Sequence, residues 1–444
     1  MVRRERMGLA VVLTLALAAA ARADDWPQWL GPQRDGVWRE TDILDQFPKD
    51  GPTVRWRSPI GAGYAGPAVA GGKVYVTDRV LAEGAKNHAE PFPQRPRKGI
   101  AGSERVLCLN EADGKILWKH EYDCPYTVSY PLGPRCTPVV HDGKVYTLGT
   151  EGHLVCLDIT TGKPVWSHEL KKVYRVQAPL WGFSAHPLID GKKLICVVGG
   201  EDTTAVAFDK DTGKELWRAL SSTQPGYCPP VIVEAGGTRQ LIVWTGEAVN
   251  GLDPETGKVY WSEHVPTYQG MSIATPRKFG DLLFVTAYPD TAVMLRLDAT
   301  KPAATVAWKG DKKSAFYSVF STPQGDAGHI YGVHNGGRLA CIKADTGERV
   351  WESVQAHGKT PLPSAEVFLV KNGDRYFLAN EKGDLILAKL SPKGYEEIGR
   401  AHLLDPTSAG FGRDVLWSHP AFANRSAYMR NDKELICVSL AARP

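Results

Sequence analysis

An all-β fold, an eight-bladed propeller of four-stranded antiparallel blades, is what this sequence predicts, and three observations predict it. A phrase ending in tryptophan recurs at a fixed spacing. A short inner strand, opening on proline in most copies, recurs once per unit. One strand with no neighbour of its own stands ahead of the whole series.

The phrase first reads Asn110-Glu-Ala-Asp-Gly114-Lys-Ile-Leu-Trp118. It returns as Asp158-Ile-Thr-Thr-Gly162-Lys-Pro-Val-Trp166, Asp209-Lys-Asp-Thr-Gly213-Lys-Glu-Leu-Trp217, Asp253-Pro-Glu-Thr-Gly257-Lys-Val-Tyr-Trp261 and Lys343-Ala-Asp-Thr-Gly347-Glu-Arg-Val-Trp351. A degraded copy over 298–308 keeps Trp308 but has lost the glycine and gained two residues. Trp118 to Trp351 spans five intervals of about 47 residues, the period of a four-stranded propeller blade. Each glycine stands where a tight hairpin needs positive φ, and the Asp or Asn opens that turn by bonding the amides beyond it. The tryptophan follows on what would be an exposed edge strand, where a large ring can cover the neighbouring blade.

Upstream of each phrase lies a second strand pair, as in Thr137-Pro-Val-Val-His-Asp-Gly-Lys-Val-Tyr146, whose Asp-Gly is a hairpin signal. Inner-strand starts at Gly66-Pro67, Thr137-Pro138, His186-Pro187, Pro229-Pro230, Thr275-Pro276, Thr322-Pro323, Ala365-Glu366 and His419-Pro420 count eight blades. Such a unit cannot bury both faces alone and must stack on copies of itself. The last unit, 417–440, has three strands and no tryptophan phrase, whereas the orphan Val54-Arg-Trp56-Arg-Ser58 precedes the first blade. The orphan is expected to complete blade eight, leaving no open edge.

Three segments follow. Residues 1–23 read as a secretory signal: Arg3, Arg4 and Arg6, an apolar run from Leu9 to Ala20, and Ala21-Arg22-Ala23 as an A-x-A cleavage site. The run is too short to span a bilayer, so a periplasmic or secreted product cleaved near Ala23 is expected. Residues 24–53, which open on Asp25-Trp-Pro-Gln-Trp29, read as a latch docked on the propeller surface, since two exposed indoles would leave much apolar area in water. Residues 54–444 form the propeller, expected to be a monomeric ring without a membrane span.

The chain carries a formal charge of +4; without 1–23 it is about +1, which lacks the basic stripe of a nucleic-acid binder. Of eight cysteines, Cys108, Cys156, Cys341 and Cys437 occupy one strand slot in their repeats, where other blades have Ala207 or Gly251. That slot reads as one demanding a small residue, and its thiols as buried and structural. Cys124, Cys136 and Cys228 lie in or beside loops, and a Cys124–Cys136 bond stays open.

In a propeller, the approach to each inner strand and the turn between second and third strands emerge on one face. Arg135, Trp181, His186, Tyr227, Arg413, Asp414, Trp417 and His419 therefore gather there and are the candidates for a ligand or partner site, because no propeller turn requires a Trp or a His. Turn carboxylates such as Glu151, Glu201, Glu247 and Glu381 read as solvated. His186 and His419 stand three blades apart, too far to share a metal. A long Pro-rich basic insertion in blade one, 81–99, is expected to overhang the same face. Trp56, Trp118, Trp166, Trp217, Trp261, Trp308 and Trp351, with Gly114, Gly162, Gly213, Gly257 and Gly347, read as structural.

From Asp25-Trp-Pro-Gln-Trp29 through the tryptophan phrases to Leu435-Ile-Cys-Val438, the chain resembles the quinoprotein-like propellers with PQQ-type repeats, and is similar to BamB-like exported propellers. That superfamily includes quinone-dependent alcohol and sugar dehydrogenases and BamB-like scaffolds of the outer-membrane barrel-assembly machinery. The dehydrogenase branch implies an adjacent Cys-Cys pair, and a quinone held by calcium on carboxylate and amide oxygens with an Asp as base. This sequence has no neighbouring cysteines and no Cys-x-x-Cys-His; Asp414 and Glu201 are merely acids on the relevant face. BamB-like proteins are lipid-anchored, and no cysteine lies at the cleavage site here. The expectation is a non-enzymatic binding or scaffolding propeller of the cell envelope with no cofactor, taking a protein, peptide or saccharide at its funnel face. The alternative is a quinoprotein alcohol or sugar dehydrogenase with PQQ and calcium.

Overall fold

Period-two alternation in short strands, punctuated by glycine turns, folds the chain into eight four-stranded antiparallel sheets arranged as successive blades. The computed structural model describes residues 24–87, 98–311, 313–326 and 328–442; the central part of the blade-one insertion and the signal segment lie outside them. The inner strands of blades one to eight are Ala68–Ala70, Val139–His141, Leu188–Asp190, Val231–Ala235, Arg277–Phe279, Gln324–Gly325, Val367–Asn372 and Ala421–Ala423. Among the described residues, no helix is long and apolar enough to cross a membrane.

Blade eight closes as the orphan strand requires. Val54–Pro59 pairs antiparallel with Glu434–Ser439, Trp56 facing Cys437 and Ser58 facing Leu435. The sheet order therefore joins the start of the ring to its end.

Five of the outer-strand tryptophans lie across the glycine of the next blade. A Cβ on Gly162 would stand 2.4 Å from the Trp118 ring, and one on Gly213 would stand 2.7 Å from Trp166. The same contact joins Trp56 to Gly114, Trp217 to Gly257 and Trp308 to Gly347. Glycine is required there twice over, because its φ is positive and because the indole needs the space of a missing side chain. Each indole N–H also donates to a carbonyl in the next turn: Trp56 to Glu111 (2.8 Å), Trp118 to Ile159 (3.1 Å), Trp166 to Lys210 (3.0 Å) and Trp308 to Ala344 (2.9 Å).

The degraded phrase has a structural consequence. With no glycine in 298–308 to receive it, Trp261 stays in its own blade, donates to Gln240 Oε1 at 2.6 Å and lies against Gly251. That accounts for glycine in the slot opposite Trp261. The small-residue expectation for this slot does not hold throughout, however. Met294 faces Trp308 there, fully buried, and Leu387 faces Gly399 in blade seven, which has no tryptophan.

Replacing Trp166 by Ala is expected to cost about 2–4 kcal/mol in a denaturant melt, below the full-burial value because this indole is only half-buried. A loss under about 1 kcal/mol would show that the stacked indole contributes little to the seam between blades two and three.

The latch takes a course that its sequence does not announce. Packed on the propeller, it crosses from blade to blade around the axis, meeting them in ring order. Trp26 bridges Val69 of blade one, and Pro27 accepts from the Val140 amide of blade two. Arg34 donates to Pro187 O beside blade three and Pro230 O beside blade four. Its own carbonyl accepts from Arg277 of blade five, and Asp35 O accepts from Gln324 of blade six. Trp38 N donates to Lys371 O of blade seven, and Glu40 accepts from the Arg425 amide of blade eight. Trp26, Leu30 and Trp38 are each only 1 % exposed. The segment is an axial plug.

Candidate functional site

The plug carries Trp29 up the axis on the turn formed by Leu30 and Gly31, both at positive φ. Its indole N–H donates to Thr275 Oγ1 at 3.0 Å; its ring stacks on His186 with centroids 4.0 Å apart and tilts against His419 at 4.7 Å. The two histidines, three blades apart in the ring, both pack against this one indole.

Trp29 is the floor of a funnel of about 1090 Å³, open mouth included. Arg135, Trp181, His186, Tyr227, Trp417 and His419 line it together with Tyr64, Tyr130, Phe320, Phe368 and Phe411. The walls are braced edge to face: Trp181 against Tyr227 at 5.4 Å, Phe320 against Trp417 at 5.4 Å and Phe368 against His419 at 5.2 Å. Tyr64, Phe368 and Phe411 were not legible as site residues. The Trp29 motif marked a docking segment but not a funnel floor.

Neither histidine is charged. Burial pushes His186 well below its ordinary value, with Arg34 and His419 adding to the shift, and burial brings His419 down to about 4. The tautomers differ. His186 Nδ1 accepts from the Thr137 amide at 2.9 Å, so its proton is on Nε2. His419 Nδ1 is 2.6 Å from Pro420 O and must donate.

Among the described residues, Arg135 is the one charged side chain of the lining, and its fork is occupied by the protein. It donates to the carbonyls of Gly133, Ser129 and Tyr130 and lies 5.1 Å from the Tyr64 ring centroid.

The other two candidates lie outside the lining. Asp414 is exposed. Arg413 sits behind the wall, where its Nε is 2.8 Å from Glu381 Oε1. Glu381 was expected to be solvated, yet it is 1 % exposed and also receives Trp417 Nε1 at 2.9 Å and His357 Nε2 at 3.0 Å. Burial alone would raise the Glu381 carboxyl; hydrogen bonds from His357, Arg413 and Trp417 outweigh it and hold the group below its usual range. Glu381 thereby positions Trp417. Glu151, another presumed surface acid, is buried against Lys171 and Thr127.

A buried acid behind Phe320 behaves in the opposite way. Glu366 is 1 % exposed, and burial raises it to about 8 despite hydrogen bonds from Ser321 Oγ and the Phe320 amide. That lies above the roughly 4.5 of an ordinary glutamate carboxyl, so the folded state binds the extra proton between those pH values, and stability falls as pH rises from about 4.5 to 8. Glu366→Gln is expected to remove that slope and to gain about 4 kcal/mol at pH 8 relative to pH 4.5. Parallel stability–pH curves for the two proteins would refute it.

Among the described residues, the lining contains no carboxylate and no three His, Cys, Asp or Glu side chains converge as metal ligands. Calcium is held by carboxylate and carbonyl oxygens, so this donor set does not fit a calcium-held quinone. All eight cysteines are buried free thiols, and none forms the loop bond left open between Cys124 and Cys136.

A family model described as "Outer membrane protein assembly factor BamB" matches residues 102–300 and 252–441. No curated protein matches the chain in sequence. Among solved structures, BamB from Moraxella catarrhalis superposes with a TM-score of 0.53 at 17% identity, covering 83% of this chain and 99% of that one. A quinohemoprotein alcohol dehydrogenase from Comamonas testosteroni gives 0.61 at 15% identity, covering 96% and 82%. The alcohol dehydrogenase ADHIIG from Pseudomonas putida HK5 gives 0.57 at 13%, covering 95% and 81%. Likeness at these identities is a likeness of fold.

Proposed function

The chain belongs to the family of the outer membrane protein assembly factor BamB, and from that premise we propose that it is an exported binding propeller of the cell envelope whose funnel receives apolar side chains of a protein or peptide partner. The leader 1–23 is removed at Ala23, and the mature ring acts as a scaffold and not as a dehydrogenase.

The observation that carries this reading is the funnel itself. Aromatic rings form its floor and walls, two neutral histidines add no charge, and the guanidinium of Arg135 is already occupied by backbone carbonyls. Desolvating such a surface against another apolar surface is favourable at roughly 25 cal/mol per Å². A saccharide needs many convergent hydrogen-bonding groups, and this lining supplies few.

A photo-crosslinking amino acid at Trp181 or Phe411, compared with one at the exposed outer-strand Leu216, tests the proposal in intact envelopes. Discrete protein adducts from the funnel positions and none from Leu216 support it; equal or absent adducts reject it. Calorimetric titration with PQQ, with and without calcium, tests the alternative. Micromolar, calcium-dependent heat would replace the scaffold reading with a quinoprotein dehydrogenase.

A further inference from the structure

We propose that Glu40 is a built receptor for the α-amino group created when the leader is cut from Asp24, so that proteolytic processing itself locks the axial plug. The inference rests on the export reading above.

Glu40 joins both ends of the plug. Its Oε1 accepts from the backbone N–H of Asp24 at 3.0 Å, and its Oε2 accepts from Trp38 Nε1 at 2.7 Å and from the Arg425 amide at 2.8 Å. One carboxylate therefore ties the entry of the segment to its exit and to blade eight. Between those ends lie Trp26, on blade one, and Trp29, the floor of the funnel.

Two independent observations select the same bond. The A-x-A signal of Ala21-Arg22-Ala23 places the cut between Ala23 and Asp24, and the nitrogen already at the carboxylate is that of Asp24. In the cut, a signal peptidase adds water across the peptide bond. The hydroxyl goes to the Ala23 carbonyl carbon and a proton to the Asp24 nitrogen, which takes a second proton from solvent. A neutral amide donor becomes an ammonium facing a carboxylate, a stronger, charge-assisted contact. A cut one residue away would shift the amine by roughly 3.4 Å and lose the contact.

An ordinary α-amine loses its proton near pH 8. Facing Glu40 it retains the proton to higher pH, so the stabilisation is complete below pH 7 and is lost as pH rises through the raised value. The other charged groups near this end are the side chains of Asp24, Asp25, Arg39, Glu111 and Arg425. Asp25 bonds the Gly71 amide, Arg39 pairs with Asp35, and Glu111 accepts from Asn424 and Tyr428.

The test uses the mature protein released from a tag in vitro so that it begins at Asp24, its Glu40→Gln variant, and a form with one Gly added before Asp24. Under limiting acetic anhydride at pH 7, peptide mapping is expected to show the Asp24 amine acetylated about tenfold more slowly than in Glu40→Gln, one unit of pKa being tenfold in free amine. The Gly-extended form, with Glu40 intact, is expected to melt about 1–3 °C lower than the Asp24-start protein at pH 7 and equally at pH 10. Equal acetylation rates, or a Gly extension without effect at pH 7, would overturn the proposal with the export reading untouched. The intact mass of the exported chain tests that premise separately, and a terminus other than Asp24 would overturn the proposal by removing it.

Discussion

Deleting Val54–Pro59 is expected to abolish the native ring. The strand supplies the outer edge of blade eight through its pairing with Glu434–Ser439, and its loss exposes a row of unpaired backbone groups on an open edge. It also empties the seam between blades eight and one. There Trp56, 7 % exposed, covers Gly114 and donates to Glu111 O, while Ser58 Oγ donates to Gly114 O at 2.7 Å. Because each blade is stable only against its neighbours, the loss is expected to spread around the ring: no cooperative melt above about 40 °C, and aggregation on size-exclusion chromatography. Trp56→Ala, which keeps the strand, is expected to cost about 3–5 kcal/mol. A deletion variant that melts like the parent would refute closure by this strand.

Trp29→Ala is expected to cost about 3–5 kcal/mol in a denaturant melt and to eliminate crosslinks from Trp181 and Phe411. The substitution removes a buried ring held between His186 and His419 and leaves Thr275 Oγ1 without its indole donor. It also opens the funnel floor toward the Arg34 level of the plug, so that water can enter a site whose apolar character is its recognition chemistry. Trp29→Phe separates the two effects. It keeps a stacked ring and loses only the N–H donor, so about 1–2 kcal/mol is expected with crosslinking retained. Full crosslinking in Trp29→Ala would show that the floor is not needed for partner binding.

Much of the ring was legible because its signals are local and repeated. Gly162 or Gly213 followed four residues later by tryptophan marks the same turn and outer strand in each clear copy, and the structure adds only which indole reaches which glycine. The candidate face was legible to the extent that topology decides it: Arg135, Trp181, His186, Tyr227, Trp417 and His419 meet in one cavity because inner-strand approaches converge on the axis. Arg413 and Asp414 do not join them. Their hairpin, Ser408–Gly410 with Arg413–Val415, turns Arg413 toward Glu381 and Asp414 to solvent. Glu381 and Glu151 were read as solvated because acids in turns usually are, and no local pattern announces partners that come from other loops.

By itself, then, the sequence determined the blade period, the number of blades, the closing strand and the face on which unusual side chains gather, since each follows from spacing along the chain. Tertiary structure alone decided where residues 24–44 run and what they do. Their polar, aperiodic run of Trp26, Trp29, Arg34 and Trp38 has no strand pattern to read. Their hydrogen-bond partners, drawn from all eight blades, face one another across the axis only after Val54–Pro59 has closed the ring. The floor of the site is thus a product of closure, and no window of the chain short of the whole circle contains it.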